Sequence, residues 1–521
     1  MKKYYITTPI YYVNDAPHIG TAYCTIAADT IARYHRLRGK KVLFSTGVDE
    51  NGLKVAEAGL SRGLEPQAFV DQMAAVFEET WRKLDVTYDV FIRTTCAEHR
   101  QAVQAIFRKL YENGDIYLDT YEGWYCLSDE TFFQESELID GRCPNPECRK
   151  EVEWLGEKGF FFRLSKYAQP LLDHIEANPG FLQPESRKNE VVSFIRGGLK
   201  DASISRVATW GTTLPSEIPD SEGMVVYVWL DALINYITVA GYPNDEAKFK
   251  EFWPAELHLV GKDIFVRFHA TFWPAVLMAA GLPLPKTVFA HGFLTVGGEK
   301  ISKSKGHKID PLGVVEQIQA ESGCKPKMAL DALRYFLLRE VTFGLDGEWS
   351  IEAIIGRFNA DLANDLGNLL NRLLPLITRY TNGLIPAMAK DEEMAAASQQ
   401  AIKDWESGME KYDFSGALRA VWAFLSTMNR WIDTKAPWAL AKKGGTEELH
   451  RVLYCLAEGL RIASVLISPV MPNTAAAIQQ QLGIDSAASP LIWEDLSKWG
   501  GLSEGAQIAT GAPLFPRVVT S

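Results

Sequence analysis

Tyr4-Tyr5-Ile6-Thr7-Thr8-Pro9-Ile10-Tyr11-Tyr12, followed after a short polar link by Pro17-His18-Ile19-Gly20, is the stretch on which the fold turns. The first nine residues are aromatic and β-branched, the composition of a strand. From Ile19, apolar positions recur at Tyr23, Ile26, Thr30, Tyr34 and Leu37, which is helical spacing, and Gly39 ends that helix. Lys41-Val42-Leu43-Phe44-Ser45-Thr46 resumes as a strand running into Gly47. Phe69, Met73, Val76, Phe77 and Leu84 mark another helix after Pro66. Strand-helix-strand order predicts a parallel sheet whose ligand sits at the carboxyl ends of its strands. Asp49, just past a strand end, stands where that rule puts a ligand-binding residue.

Working outward, the texture changes at about Gly114 to short strands, cysteines and many Gly and Pro, and stays so until Glu222. This reads as an insertion, residues 115–223. Val225-Val226-Tyr227-Val228-Trp229 and Glu256-Leu257-His258-Leu259-Val260 restore the strand pattern, so residues 224–354 complete the sheet begun in residues 1–114. Beyond Ile351 strands fade. Leu362, Leu366, Leu369, Leu370, Leu373 and Leu374 begin a series of amphipathic helices, and residues 355–521 read as a helical bundle. The Ala/Glu/Gln-rich stretch near residues 387–401 reads as a loop or helix end. The expected fold is α/β: a Rossmann-type sheet split by an insertion and followed by an α-helical domain.

With 521 residues, 47% hydrophobic and 23% charged, the chain is long enough for about three globular domains. It begins on a strand with no cleavable signal pattern, and no apolar stretch is long enough to span a bilayer. Its seven cysteines are odd in number and irregularly spaced, which fits a reduced, cytoplasmic protein. A net charge of −11 argues against a general nucleic-acid coat but leaves room for a local RNA groove.

Two segments carry chemistry. Pro17-His18-Ile19-Gly20 offers a helix N-terminus with an imidazole, suited to nucleotide phosphates, and Gly20 removes a side chain where a purine ring would lie. Lys300-Ile301-Ser302-Lys303-Ser304-Lys305-Gly306 is a lysine-dense, Gly-flanked loop suited to charge building up on a phosphate. Alone, His18 reads equally as a structural histidine and the loop as a solvated basic turn. Together they point to chemistry at the α-phosphate of ATP. Gly59-Leu60-Ser61-Arg62-Gly63 matches a nucleophile elbow, but it follows the helical Lys54-Val55-Ala56-Glu57-Ala58 where an elbow needs a strand. It is a chance match.

The pair resembles the HIGH-like and KMSKS-like signatures of the class I aminoacyl-tRNA synthetases, with Thr21 in place of the last His and Ile301 in place of the Met. Further landmarks resemble the methionyl-tRNA synthetase family. They are Phe44-Ser45-Thr46-Gly47-Val48-Asp49-Glu50-Asn51-Gly52, Tyr227-Val228-Trp229-Leu230-Asp231-Ala232, Gly261-Lys262-Asp263-Ile264, Phe268-His269-Ala270, Trp273-Pro274-Ala275 and Ala290-His291-Gly292, in order. Between Ile264 and Phe268 the chain carries one residue more than the family, which leaves Ile264 and Phe265 both open as pocket lining.

The resemblance implies ATP with Mg2+, L-methionine and tRNA(Met) as partners, and ligation through methionyl-adenylate. It implies His18, Lys300 and Lys303 as catalytic residues. ATP would lie against His18, Gly20, Gly261, Asp263, His291, Gly292 and Lys303. Methionine would lie among Ile10, Tyr12, Asp49, Trp229, Ala232, Leu233, Tyr236 and His269, with Asp49 on its ammonium. A thioether gives no strong hydrogen bond, so shape and soft aromatic contacts must select it. The lysine loop, with Gly297, Gly298 and Gly306 around it, would close over pyrophosphate.

In the insertion, Cys126 and Asp129 have metal-knuckle spacing, and Cys143 and Cys148 form a wider pair. Related synthetases hold one structural Zn2+ here; the other reading is a degenerate knuckle held by packing. In the Asn-rich segment 359–372 the resemblance implies anticodon contacts at Asn368 and Arg372, four apart on one helix face, with Trp438 as a stacking partner. Capping and interhelix hydrogen bonds are the other account of those asparagines. The chain ends without the appended oligonucleotide-binding domain by which some relatives dimerise, which implies a monomer. Two competing functions remain at this level: a synthetase for leucine, isoleucine, valine or cysteine, and a non-catalytic tRNA-binding paralogue. The insertion is short for the editing domain of the branched-chain siblings, and retained His18, Lys303 and Asp49 speak for catalysis.

Overall fold

A computed structural model of the protein describes residues 2–129, 131–145, 148–296, 299–300, 309–484 and 493–519. Strands β1 (Lys3–Tyr12), β2 (Lys41–Asp49), β3 (Val90–Arg93), β4 (Leu182–Gln183), β5 (Leu257–Gly261) and β6 (Val288–His291) form one parallel sheet in the order β3-β2-β1-β5-β6-β4. Both faces are covered, as parallel sheets require. Alternation along β1 divides the core: Tyr4 and Ile6 pack with Phe77 and Trp81, while Tyr5 packs with Ile106, Phe107 and Ile234 on the other face. Helix α1 (Ile19–Leu37) follows β1 and buries fourteen of its nineteen residues. The strand order reverses at β1, which has β2 on one side and β5 on the other, so the crevice between their carboxyl ends is the expected ligand position.

Two expectations need correction. Residues 225–229 do not form a strand of the main sheet. Met224–Val226 is a short strand antiparallel to Ser205–Val207, and the helix α2 (Val228–Ala240) already begins at Val228. An apolar, β-branched run of this length fits a buried helix as well as a strand, and tertiary packing decided it. The insertion is also less separate than its composition indicates. It builds its own four-stranded antiparallel sheet around the long Ile116–Cys126 and Glu153–Phe162 pair, then returns β4 to the edge of the main sheet.

After the sheet, helices run from Pro311–Ser322 and Pro326–Glu340 onward to Pro472–Gln481. The Ala/Glu/Gln-rich stretch is helical from Glu392 to Glu410. The Asn-rich segment is not one regular helix. Phe358–Gly367 is π-helical and runs into the α-helix α3 (Asn368–Thr381). A buried ion pair fastens this half to α1: Arg334 Nη2 donates to Asp29 Oδ2 at 2.6 Å, and Arg334 Nε donates to the Val470 carbonyl at 2.7 Å.

Candidate active site and anticodon face

At the start of α1, His18 is the N-cap, and its Nδ1 accepts from Gly20 N–H at 3.1 Å. With Nδ1 accepting, the neutral ring carries its hydrogen on Nε2, a donor for an anion at the helix N-terminus. Gly20 serves this fold-back. A Cβ there would lie 2.9 Å from His18 Cε1, so the missing side chain makes room for the imidazole. Thr21 closes the cap, its Oγ1 accepting from His18 N–H at 3.0 Å and donating to the His18 carbonyl at 2.7 Å. Ile19 N–H donates to the Ile309 carbonyl at 2.9 Å, so the residue that follows the lysine loop lies at the His18 turn. Lys303 and Ile301 lie outside the described residues, as do Gly297, Gly298 and Gly306; the backbone of Lys300 pairs with Thr295 in a short antiparallel ladder.

The predicted ligands collect at the carboxyl edge of the sheet. Tyr12 and Asp49 face each other in register at the ends of β1 and β2. The backbone after Asp49 is locked: Glu50 accepts from Arg93 Nε at 2.7 Å, and Trp210 Nε1 donates to the Glu50 carbonyl at 2.7 Å. Asn51 Nδ2 donates to Asp231 Oδ2 at 2.9 Å, which ties the end of β2 to α2 and fixes Asp49 relative to Trp229. Gly261 ends β5, where a Cβ would sit 2.6 Å from Asp263 Oδ1, and His291 ends β6 with its Nδ1 donating to the Gly292 carbonyl at 2.8 Å. Gly292 packs against the backbone of Leu345, so its missing side chain serves the close approach of that chain.

Tyr12, Trp229 and Asp263 line a cavity of about 490 Å3 with Ile264, Phe268, Lys54 and Arg267. The insertion supplies the opposite wall, Asp129, Thr131, Phe133, Pro144 and Asn145. Trp229 and Phe268 stack face to face at 3.7 Å with 6° between planes. Sequence reasoning did not place Lys54, Arg267, Phe268 or the insertion wall at this cavity, because their meeting depends on the fold and not on local spacing. Of the two residues left open, Ile264 lines this cavity and Phe265 is fully buried. Phe265–Phe272 is π-helical, with His269 Nδ1 3.0 Å from the Ile264 carbonyl and Thr271 Oγ1 donating to the Val266 carbonyl at 2.7 Å, both five residues back.

Ala232, Leu233, Tyr236 and His269 lie buried behind the cavity. Tyr236 Oη and His269 Nε2 are 2.8 Å apart, and the Tyr236 ring stacks on His258 at 4.2 Å. Burial lowers the His269 pKa to about 4 and raises that of Tyr236 well above its ordinary value, so both are neutral. Ile10, half-buried, stands near the end of β1.

In the insertion, the Sγ atoms of Cys126, Cys143 and Cys148 lie within 4.8 Å of one another. Cys143 Sγ is 3.2 Å from Asp129 Oδ2, and Asn145 Nδ2 donates to both Asp129 oxygens. Burial pushes the Cys126 and Cys143 thiols up, a cost that a divalent cation reverses. Three converging sulfurs with a carboxylate beside them fit a tetrahedral Zn2+. In the helical half, Asn368 is exposed at the start of α3 and Arg372 lies one turn on. Arg372 pairs with Asp433, and its guanidinium carbon stands 5.9 Å from the ring of Trp438, which is 40% exposed. Among the described residues, no helix is long and apolar enough to cross a membrane.

The chain matches the family model "tRNA synthetases class I (M)" over residues 4–154 and 145–374, and "Anticodon binding domain of methionyl tRNA ligase" over residues 385–520. The methionine–tRNA ligase of Caldanaerobacter subterraneus subsp. tengcongensis is 48% identical over 525 residues, covering 99% of this chain and 79% of that protein. That of Bacillus subtilis is 44% identical over 536 residues, with 99% and 78% covered. Mycobacterium tuberculosis methionyl-tRNA synthetase in complex with methionyl-adenylate superposes with a TM-score of 0.92 at 42% identity, covering 99% of this chain and all of that one. With both halves of the molecule matched and nearly the whole chain covered, this protein belongs to the methionyl-tRNA synthetase family of class I aminoacyl-tRNA ligases.

Proposed function

We propose that the chain joins L-methionine to tRNA(Met) through methionyl-adenylate, with the residues placed as follows. The methionine carboxylate attacks the α-phosphorus of ATP in line, and pyrophosphate leaves. The 3′-terminal adenosine hydroxyl of tRNA then attacks the acyl carbon and AMP leaves. No covalent enzyme intermediate forms, so positioning and charge stabilisation carry the rate. Asp49 holds the methionine ammonium, with Tyr12, Trp229, Ile10 and Leu233 around the side chain and Tyr236 and His269 at its inner end. His18 Nε2–H meets the phosphates with Lys303, assisted by Lys300. Gly261, Asp263, His291 and Gly292 border the adenosine. Mg2+ neutralises phosphate charge when it accompanies ATP.

Residues 1–114 and 224–354 form the catalytic halves in this reading, residues 115–223 the insertion, and 355–521 the anticodon-binding part. Asn368, Arg372 and Trp438 receive the anticodon. Cys126, Cys143, Cys148 and Asp129 hold a structural Zn2+ that stiffens the insertion wall of the cavity. The observation that carries the catalytic reading is the Ile19 to Ile309 bond, which supports the meeting of both signatures at one helix N-terminus. Amino-acid-dependent ATP–pyrophosphate exchange tests it. Methionine alone is expected to drive exchange; a leucine or valine response overturns the substrate, and tRNA binding without exchange overturns the enzyme.

A further inference from the structure

Beside the catalytic cavity lies a second one, of about 320 Å3, between the insertion and the π-helical segment. The two adjoin, because Thr131, Arg267 and Phe268 line both. None of the residues assigned above to ATP, methionine or Zn2+ lines the second cavity. Its aromatic walls come from elements that meet only in the fold. Phe161 lies on the insertion sheet, Phe194 on the helix Glu185–Arg196, Tyr227 just before α2, and Phe272 on the π-helical segment. Phe161, Tyr227 and Phe272 are buried, whereas Phe194 is 38% exposed and has ring surface to give to a ligand.

Most charges around the second cavity are already engaged. Lys200 Nζ donates to Glu137 Oε1 at 3.3 Å, Arg206 Nη1 donates to the Ser205 carbonyl at 2.6 Å, and Asp201 Oδ1 accepts from the Ser165 hydroxyl at 2.6 Å. Arg267 and Lys54 differ. Arg267 is exposed on the shared wall, and Lys54 is half-buried on the catalytic cavity. Among the described residues, neither forms an ion pair or a side-chain hydrogen bond, although Asp129 and Asp263 line the same cavity. In a chain of net charge −11, unpaired cations at a cavity wall mark the approach of an anion. The ATP phosphates have their own partners at the N-terminus of α1. What remains is the acyl acceptor, a polyanion with an unpaired end.

We propose that the second cavity receives the unpaired nucleotide that precedes the 3′-terminal adenosine of the tRNA, with its base against Phe194. The phosphate joining that nucleotide to the adenosine lies on Arg267. The inference rests on the charging reaction proposed above. An adenosine hydroxyl that attacks an acyl carbon in the catalytic cavity draws the nucleotide bonded to it against that cavity's wall, where Arg267 and Phe268 open onto the second hollow. Cations on the backbone and aromatic rings beside the bases are how single strands are held. The volume suits one base and not a folded arm of the RNA.

Direct binding tests this with two probes, tRNA(Met) lacking only the terminal adenosine and tRNA(Met) lacking its last two nucleotides. The unaltered protein is expected to hold the first about tenfold tighter than the second, as the loss of one stacked base predicts. In Phe194→Ala that difference is expected to shrink to about threefold or less, with ATP–pyrophosphate exchange unchanged and tRNA KM in charging raised. Arg267→Gln is expected to lower the salt slope of full-length tRNA binding by about one and to leave the slope of the shorter probe unchanged. An equal difference between the probes with and without Phe194 overturns the proposal. Exchange that falls together with charging in Phe194→Ala assigns the cavity to adenylate formation and overturns it as well. An unchanged salt slope in Arg267→Gln does the same, and decides alone should Phe194→Ala not fold. Binding needs no catalysis, so a protein without methionine-dependent exchange loses the enzyme reading while the probes still decide the cavity.

Discussion

At the carboxyl edge of the sheet Asp49 is 4% exposed and His269 2%, whereas Trp438 on the anticodon face is 40% exposed. Around the first region, side chains are held by partners from several elements: Asn51 by α2, Glu50 by Arg93 and Trp210, His269 by Tyr236 and the Ile264 carbonyl. In the second, Asn368 and Arg372 sit one turn apart on α3, and Arg372 has one ion partner, Asp433. The contrast separates two ways of recognising a partner. A buried edge with fixed walls suits selection of a small apolar side chain. An exposed face suits unpaired bases, whose stacking tolerates movement and whose edges bring their own donors and acceptors. Damage to the first region is expected to reach both chemistry and stability, and damage to the second to reach tRNA alone.

That contrast can be broken at several points. Lys303→Ala removes a cation from developing phosphate charge, and exchange is expected to fall by about a thousandfold with methionine binding nearly intact. Equilibrium dialysis beside the exchange assay separates the two; an unchanged exchange rate removes Lys303 from the mechanism. Asp49→Asn keeps the shape but loses a charge-assisted bond, so kcat/KM for methionine is expected to fall about tenfold to a hundredfold with tRNA KM unchanged. A shift in tRNA KM would show that the two regions are not independent.

Acid sharpens the comparison through stability. His269 titrates at about 4 in the folded state, against about 6.5 unfolded. Its folded pKa is depressed, so its contribution is complete above pH 6.5 and is lost as pH falls toward 4. At pH 5 the loss is about 2 kcal/mol for this ring. His35, lowered to about 3, and His258, lowered by burial, act in the same direction. Urea midpoints at neutral pH and at pH 5 measure the sum, and His269→Gln should flatten the dependence. The smallest effect belongs to the exposed face: Trp438→Ala is expected to raise tRNA KM about tenfold and leave exchange untouched, as the loss of one stacked base predicts.

Much of the sheet was legible because it rests on local patterns. The strand from Tyr4 and the helical spacing from Ile19 are where periodicity puts them, and Asp49 stands at a strand end as the last residue of β2. The reading failed at residues 225–229, where an apolar run has no period that separates strand from buried helix. Nor does spacing reveal that the missing side chain of Gly20 clears space for a neighbouring imidazole two residues away. The cysteine knuckle was visible as spacing, but not its place beside the cavity through Asp129 and Asn145.

The sequence by itself determined the order of elements and the converging cysteines' residue types and spacing. Each is a property of residue type and local spacing. Only the tertiary structure decided that residues 265–272 take π-helical form, that Ile264 lines the cavity, that the insertion walls it, and that Tyr236 and His269 meet. Those facts depend on which carbonyl or side chain from a distant segment arrives within hydrogen-bonding reach, and no pattern along one chain encodes that distance.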